Sequence, residues 1–229
     1  MSSIADRLQQ VRQRLERAAV GAGRDPSTVQ LVAVSKTFPA PAVREAYAAG
    51  QRNFGENRVQ EALQKIGETA DLPIRWHLLG HLQANKARKA GQAFAVVQSV
   101  DGVELLRKLD AAATEAGRTL DVLIQVDLAQ EATKFGVPPE SALPLFVAGA
   151  SCRAARIVGL MTLPPVPDQP EDARPWFRRL REARDAWAAS DVPAHMLREL
   201  SMGMSGDFEV AVEEGATIVR VGTAIFGAR

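Results

Sequence analysis

Lys36 stands at the end of an apolar segment, where its amine could do chemistry. The segment LVAVSKTFP (31–39) begins with the apolar, β-branched residues typical of a strand, whereas lysine is depleted in strand interiors. Lys36 is in phase with Val32 and Val34, so all three face the same side of that strand. Between apolar walls the pKa of a lysine amine falls, and the neutral amine attacks carbonyl groups to form a Schiff base. The alternative is that Lys36 only marks the strand end and extends its ammonium into water.

Two segments rich in small residues could bind a phosphate. LSMGMSGD (200–207) and VGTAIFG (221–227) each lie at the end of a predicted strand, and the first opens a helix. Small residues let backbone N–H groups approach a phosphate, and a helix N-terminus favours negative charge. The alternative is that these glycines only form tight turns. A Schiff-base lysine that faces a phosphate site indicates pyridoxal 5′-phosphate (PLP), a cofactor that requires both.

Arg220 is a third candidate, because it lies inside the apolar segment TIVRVG (217–222). A buried guanidinium is costly unless a planar or anionic group meets it. A guanidinium beside the pyridine nitrogen is one way in which proteins tune PLP. Because the guanidinium keeps its proton, it leaves that nitrogen unprotonated and weakens the cofactor as an electron sink.

Eight short apolar segments alternate with amphipathic helical segments along the chain. The predicted strands are residues 29–36, 52–55, 75–79, 96–100, 120–127, 157–163, 198–202 and 217–221. This alternation predicts parallel strands, and the count of eight favours a closed (β/α)8 TIM barrel formed by residues 1–229 as one domain. A doubly wound open sheet is the alternative, but no dinucleotide glycine fingerprint follows the first strand. Active sites of such barrels form at the C-terminal strand ends, where Lys36 and both small-residue segments lie.

An extra helix is predicted before the first strand. Ser3 and Asp6 have the spacing of a capping box. An apolar stripe at helical spacing follows, formed by Ile4, Leu8, Val11 and Leu15. The chain ends almost directly after the eighth strand, so we expect this helix to cover the place of an eighth outer helix. Later helices are predicted to begin at the N-caps Asp101, Asp168 and Ser205.

The composition is that of a soluble globular protein. Of the 229 residues 46% are apolar and 24% charged, and the net charge of +1 gives no bulk attraction to nucleic acid or to anionic membranes. The single cysteine, Cys152, cannot form an internal disulfide or a cysteine metal cluster, and it suits a reducing compartment. No signal peptide or membrane span is apparent. We expect a cytoplasmic protein without nucleic-acid or membrane partners.

His77 and His81 are four residues apart but are not predicted to bind a metal. Gly80 and the strand prediction argue against a helical metal pair, and no cysteine or carboxylate cluster accompanies the two imidazoles. We predict no metal site. His81 could line the mouth of the site, and His77 is expected to be structural.

Seven segments together carry a family resemblance. In chain order they are AVSKTFP, NFGENRVQEALQK, WHLLGHLQANK, LIQVDLAQEATKFG, GLMTLPP, LSMGMSGD and VRVGTAIFGAR. Each is modest alone, but in this order they are highly specific, and they extend from about Leu31 to Arg229. The chain resembles the pyridoxal phosphate homeostasis protein family, whose fold is similar to the N-terminal barrel of alanine racemase.

The resemblance implies roles for individual residues. Lys36 would carry PLP as a Schiff base, Asn57 would lie near the cofactor ring, and Arg220 would face the pyridine nitrogen. The phosphate would be held by Ser201, Met202, Gly222 and Thr223. The protein would be a monomer.

The sequence departs from the family at residues linked to a secondary site for PLP. Phe38 stands where members often have a lysine, and the basic tail that some members carry is missing. Lys134 matches a family lysine and is the remaining candidate for such a site.

Two functions are compatible with a PLP site of this kind. The first is a carrier in intracellular vitamin B6 homeostasis, which has no reaction of its own and stores PLP or delivers it to apo-enzymes by transient contact. The alternative is a PLP-dependent amino-acid racemase, which needs an acid/base group on each face of the substrate Cα. Lys36 could serve one face, but the single tyrosine, Tyr47, is predicted in the first outer helix, far from the strand ends. The sequence therefore favours the carrier.

A third hypothesis is a Schiff-base aldolase that acts on a phosphosugar. Such an enzyme would also need a lysine and a phosphate site. It explains neither Arg220 nor the family motifs.

Overall fold

The eight strands of the described chain close into a parallel barrel. The computed structural model describes residues 2–129 and 135–227. The strands are β1 (Gln30–Val34), β2 (Asn53–Glu56), β3 (Arg75–Leu78), β4 (Val96–Val100), β5 (Leu120–Gln125), β6 (Ala155–Met161), β7 (Glu199–Ser201) and β8 (Ile218–Val221). Each strand pairs in parallel with the next, and β8 pairs with β1. The predicted TIM barrel is confirmed, and the open doubly wound sheet is excluded.

Helices cover the outside of this barrel. They are α1 (Ile4–Gly21), α2 (Ala40–Ala48), α3 (Val59–Glu68), α4 (Ala87–Ala93), α5 (Val103–Glu115), α6 (Leu143–Gly149), α7 (Arg174–Ala188), α8 (Phe208–Glu213) and α9 (Thr223–Phe226). Among the helices of residues 2–129 and 135–227, none has the length and hydropathy needed to cross a membrane. Lys134, the remaining candidate for a secondary site, lies outside the described residues.

The barrel wall separates two apolar clusters. The larger one lies between the strands and the helices and includes Leu31 and Ala33 of β1. The smaller one fills the barrel interior with Val32, Val96, Leu123, Val158, Met161 and Ile218. Because side chains alternate along a strand, Val34 is the next interior position of β1 after Val32. Val34 is also the last residue of β1, so this interior face leads to the C-terminal end of the barrel.

The N-terminal helix α1 packs against α8 and α9 at the seam between the first and last strands. Its predicted capping box is present, with the Ser3 hydroxyl accepting from the Asp6 N–H and the Asp6 carboxylate accepting from the Ser3 N–H. The Arg7 guanidinium donates to the carbonyl of Ile225 over 2.6 Å in α9. Arg14 forms a 2.7 Å ion pair with Glu209 in α8. The prediction that this helix covers the last barrel position is confirmed.

The predicted N-caps of three later elements were wrong by one or two residues. The element after Asp101 is capped by Gly102, and the one after Asp168 by Gln169. Helix α8 is capped by Asp207 rather than by Ser205. The carboxylate of Asp101 instead pairs with His81, and the hydroxyl of Ser205 accepts from the N–H of Gly222.

The strand predictions were correct in number and order, and their ends differ by a few residues. The first strand ends at Val34 rather than at residue 36. Residues 36 and 37 form a turn, so Lys36 lies two residues beyond the strand.

Candidate functional site

A cavity of about 430 Å³ opens at the C-terminal ends of the strands. Five residues that the sequence predicted for the site line it: Lys36, Asn57, Arg220, Gly222 and Thr223. The strand ends of β1, β2 and β8 supply them, as expected for a site at this end of a barrel. The volume is in the range of small-molecule and cofactor sites. The structure therefore brings together most of the predicted residues from distant parts of the chain.

Seven further lining residues were not named individually as site residues from the sequence. These are Val34, Leu79, Gly80, Leu163, Met204, Ser205 and Gly206, of which the last three belong to the segment 200–207 that was predicted to bind a phosphate. All seven belong to the motifs that carry the family resemblance, and each follows or ends a strand. Position at a strand end was the signal that could have identified them.

Two cations and no carboxylate line the cavity among the residues that the structure describes. Lys36 is half-buried, and Arg220 is only 4% exposed. Like charges on one cavity repel, and a bound anion removes that repulsion. The charge pattern favours an anionic ligand.

Arg220 projects from β8 into the closed end of the cavity. Its Nη1 donates to the hydroxyl of Ser201 over 2.6 Å, and its Nη2 donates to the carbonyl of Thr162 over 2.9 Å. Burial lowers the pKa of the guanidinium to about 10, and the carboxylate of Asp207 opposes that shift. The group therefore keeps its charge at neutral pH.

Backbone donors converge where α9 begins, just after β8. The N–H groups of Gly222 and Ala224 both point at the hydroxyl oxygen of Ser205, at 3.1 Å and 3.4 Å. A Cβ on Gly222 would lie 3.2 Å from the carbonyl oxygen of Val34, which is tighter than ordinary packing. Thr223 adds an exposed hydroxyl. These donors are the kind that bind phosphate oxygens.

Ser201 and Met202, for which the resemblance implied a phosphate role, are not among the residues that line the cavity. The Ser201 hydroxyl is fully buried and is shared between Arg220 and Gln98. Met202 is also fully buried, and its N–H donates to the carbonyl of Ile218 within the barrel wall. In this arrangement Ser205, four residues after Ser201, presents its hydroxyl to the cavity instead.

Gly80 allows the backbone after β3 to approach the backbone of Asn57 closely. A Cβ at position 80 would lie 2.2 Å from the carbonyl oxygen of Asn57, a distance that real Cβ atoms essentially never show. Any larger residue would have to displace the backbone of Asn57. Gly80 therefore fixes how near the ends of β2 and β3 approach at the cavity.

A buried ion cluster lies behind the turn that carries Lys36. The ammonium of Lys65 in α3 contacts Glu56 at 2.8 Å and Glu61 at 2.9 Å. Burial raises the pKa of the Glu56 carboxyl, and the Lys65 ammonium opposes that rise. Burial also raises the pKa of the Glu61 carboxyl, but the hydrogen bonds from Lys65 and from the Thr37 N–H outweigh that effect and lower the pKa.

This cluster holds the backbone on both sides of Lys36. The carbonyl of Ser35 accepts from the Lys65 ammonium over 2.7 Å, and the N–H of Thr37 donates to the Glu61 carboxylate over 2.6 Å. Thr37 has a φ of +69°, a left-handed conformation that costs free energy for a β-branched residue. The ion cluster supports this conformation and so sets the direction in which Lys36 leaves the backbone.

The two histidines of the WHLLGHLQANK motif have different surroundings. His77 is fully buried inside the barrel, and burial lowers the pKa of its imidazole to about 3. His81 lies outside, where its Nδ1 is 3.2 Å from the carboxylate of Asp101 and its ring stacks on Phe135. It lines a smaller cavity that shares Asn57 with the main one. Within the described ranges no three His, Cys, Asp or Glu side chains converge as metal ligands.

Replacing Lys65 with methionine should destabilise the fold, because it leaves Glu56 and Glu61 without their buried cation. We expect the free energy of unfolding to fall by about 3 kcal/mol in urea denaturation. Lys89→Met, at an exposed position of α4, is the matched control and should change it by less than about 0.5 kcal/mol. Equal stabilities of the two variants would contradict the role assigned to the ion cluster.

Comparison with known proteins extends this description. The family described as alanine racemase, N-terminal domain, matches residues 4–229. A protein of Pseudomonas aeruginosa named pyridoxal phosphate homeostasis protein is 46% identical over 230 residues, which covers 100% of this chain and 97% of the relative. A protein of the same name from Aquifex aeolicus is 43% identical over 227 residues, with 99% of each chain covered.

A solved structure has the same barrel. PipY of Synechococcus elongatus, described as having PLP bound, is 45% identical, with a TM-score of 0.82. The match covers 93% of this chain and 100% of PipY. The order of the motifs, the barrel and these similarities agree, and the chain belongs to the pyridoxal phosphate homeostasis protein family.

Proposed function

We propose that this protein binds PLP in the cavity at the C-terminal end of its barrel and serves intracellular PLP homeostasis by storing the cofactor and delivering it to apo-enzymes. The observation that carries the proposal is the placement of Lys36 and Arg220 on one cavity together with Ser205, Gly222 and Thr223. The names of the relatives and the PLP-bound structure of PipY support it. The proposal treats residues 1–229 as one cytoplasmic, monomeric PLP-binding domain.

The residues present fit the three functional parts of PLP. The aldehyde of PLP condenses reversibly with a primary amine, with loss of water, and Lys36 offers the amine that lines the cavity. Arg220 offers N–H donors to an unprotonated pyridine nitrogen. Thr223 and Ser205 offer hydroxyl groups to the phosphate, beside the Gly222 N–H, which in this structure donates to the Ser205 hydroxyl oxygen. Asn57 lines the same cavity and would lie near the cofactor ring.

Arg220 favours retention of the cofactor over chemistry on a substrate. A guanidinium holds its proton and donates hydrogen bonds without protonating the ring nitrogen. Substrate carbanions are stabilised best when that nitrogen is protonated, because the ring then withdraws electrons strongly. The arrangement therefore suits a protein that keeps PLP bound and reactive toward amines.

The described cavity also lacks the second acid/base group that racemisation requires. Of its described lining residues, only Lys36 and Arg220 are ionisable. The ring of Tyr47 lies under the guanidinium of Arg52 at 3.9 Å, next to a cavity on the opposite end of the barrel. An amino-acid racemase is therefore the less favoured alternative.

PLP should become attached to Lys36, because this amine is the one that lines the cavity. We expect borohydride reduction followed by peptide mass spectrometry to find the pyridoxyl group on the peptide that contains Lys36. Lys36→Ala should abolish both the adduct and the yellow colour of the desalted protein, whereas Lys89→Ala should retain both. An adduct found solely on another lysine would refute this assignment.

Carrier function predicts that the PLP-loaded protein activates an apo PLP-enzyme in a mixing assay. Thr223→Val removes one hydroxyl at the phosphate end and should speed release about tenfold, the value of one hydrogen bond to a charged group. Thr119→Val, exposed before β5 at the other end of the barrel, is the control and should release PLP as the unmodified protein does.

The racemase alternative predicts that the same PLP-loaded protein reacts with amino acids. Rapid deuterium exchange at the Cα of an amino acid, accompanied by inversion and followed by NMR, would favour the enzyme. Failure of the loaded protein to activate any apo-enzyme, combined with such exchange, would overturn the carrier function while leaving PLP binding intact.

A further inference from the structure

A chain of polar side chains crosses the barrel interior behind the cavity. Arg220 Nη1 is 2.6 Å from Ser201 Oγ, which in turn is 2.6 Å from Gln98 Oε1. Gln98 Nε2 is 3.0 Å from His77 Nδ1, and His77 Nε2 is 3.2 Å from Asn53 Oδ1. The chain begins on β8 and β7 and ends on β4, β3 and β2. It therefore connects opposite sides of the barrel wall.

Arg220 fixes the direction of the first hydrogen bond in this chain, and the donation from Ser201 to Gln98 Oε1 fixes the directions of the bonds that follow. A guanidinium can only donate, so the Ser201 hydroxyl accepts from it and has its own proton free for Gln98 Oε1. The Gln98 amide then presents its NH₂ group to His77 Nδ1, which must accept. The imidazole proton therefore lies on Nε2 and is donated to Asn53.

The rest of the barrel interior does not need polar residues to be filled. Its apolar cluster includes Val96 of β4 and Ile218 of β8, so other interior positions of two of these strands are occupied by hydrocarbon. Burying an amide, an imidazole and a hydroxyl is costly unless every one of them is bonded. Here the amide, the imidazole and the hydroxyl all belong to one line of hydrogen-bonded side chains, which ends at the guanidinium. This indicates that the line holds Arg220 in place.

We infer that Gln98, His77 and Asn53 are positioning residues for the cofactor site, which act through Ser201 to hold the guanidinium of Arg220 in the orientation that meets the ring nitrogen. This inference rests on the proposed PLP site and adds three residues, none of which lines the cavity. Two guanidinium N–H groups are held from behind, by Ser201 and by the carbonyl of Thr162. The others remain for the ligand.

The state of His77 supports this direction of bonding. The imidazole is fully buried, and burial lowers its pKa to about 3, so the ring is neutral at physiological pH. A neutral ring can accept at Nδ1 while it donates at Nε2. A protonated ring would set an N–H against the NH₂ group of Gln98 and break the line.

Gln98→Leu tests the inference, because it keeps the volume and removes both bonds of the central amide. We expect the variant to bind PLP at Lys36 but to show a shifted absorption band and about tenfold faster release. Gln125→Leu makes the same change at a buried glutamine of β5 whose amide instead donates to the carbonyl of Phe135. This control should keep the band and release rate of the unmodified protein.

Two further variants decide the question if Gln98→Leu does not fold. Ser201→Ala removes a single oxygen and should produce the same shift as Gln98→Leu. Asn53→Leu acts at the far end of the line and should produce a smaller shift of the same sign. Unchanged spectra in these variants, or an equal shift in Gln125→Leu, would overturn the inference.

The direction of bonding can be measured without PLP. The ¹⁵N shifts of the His77 imidazole in the cofactor-free protein should show a neutral ring with its proton on Nε2. A proton on Nδ1 would overturn the inference even if PLP binds as proposed. If the protein failed to bind PLP at all, the proposed function would fail, whereas this measurement would still report on the line itself.

Discussion

The buried positive charge of Arg220 is the constraint on which the architecture of the site depends. A guanidinium that is 4% exposed inside a barrel must have each donor met by an acceptor or directed at a ligand. Ser201 and the Thr162 carbonyl supply two acceptors, and Asp207 stabilises the charge from behind. The remaining donors face the cavity, so the fold leaves one side of the charge open for an acceptor that the chain itself does not provide.

Lys36 is positioned by a separate buried cluster on the other side of the barrel wall. Lys65 and Glu61 hold the backbone on either side of it, and Thr37 adopts a left-handed conformation between them. The two cationic groups of the cavity are therefore fixed by independent networks, one outside the strands and one inside. Lys36 and Arg220 are therefore each held in place, although Lys36 lies on a turn.

The sequence predicted the barrel well because strand periodicity and the alternation of elements are local signals. Lys36, Arg220 and Gly222, which line one cavity, could be proposed as site residues because a strand end or a charge in an apolar segment is visible in the sequence itself. The N-cap predictions were less accurate, because the residue at which a helix begins depends on the path of the preceding loop. Asp101, for example, pairs with His81 instead of capping α5.

The contacts across the barrel could not be predicted from the sequence. Ser201 was assigned to the phosphate, yet its hydroxyl bonds Gln98, more than a hundred residues away along the chain. Whether interior side chains meet across a barrel depends on strand register and stagger, which the sequence does not display. His77 was expected to be structural, and its place in a directed hydrogen-bond line emerged only from the geometry.

A crystal structure of the protein grown with PLP tests the central claim most directly. We expect continuous electron density from Lys36 Nζ to the cofactor, with the pyridine nitrogen about 3 Å from the Arg220 guanidinium and the phosphate against Gly222 and Thr223. PLP bound at another lysine, or seated in this cavity with its ring nitrogen turned away from Arg220, would contradict it.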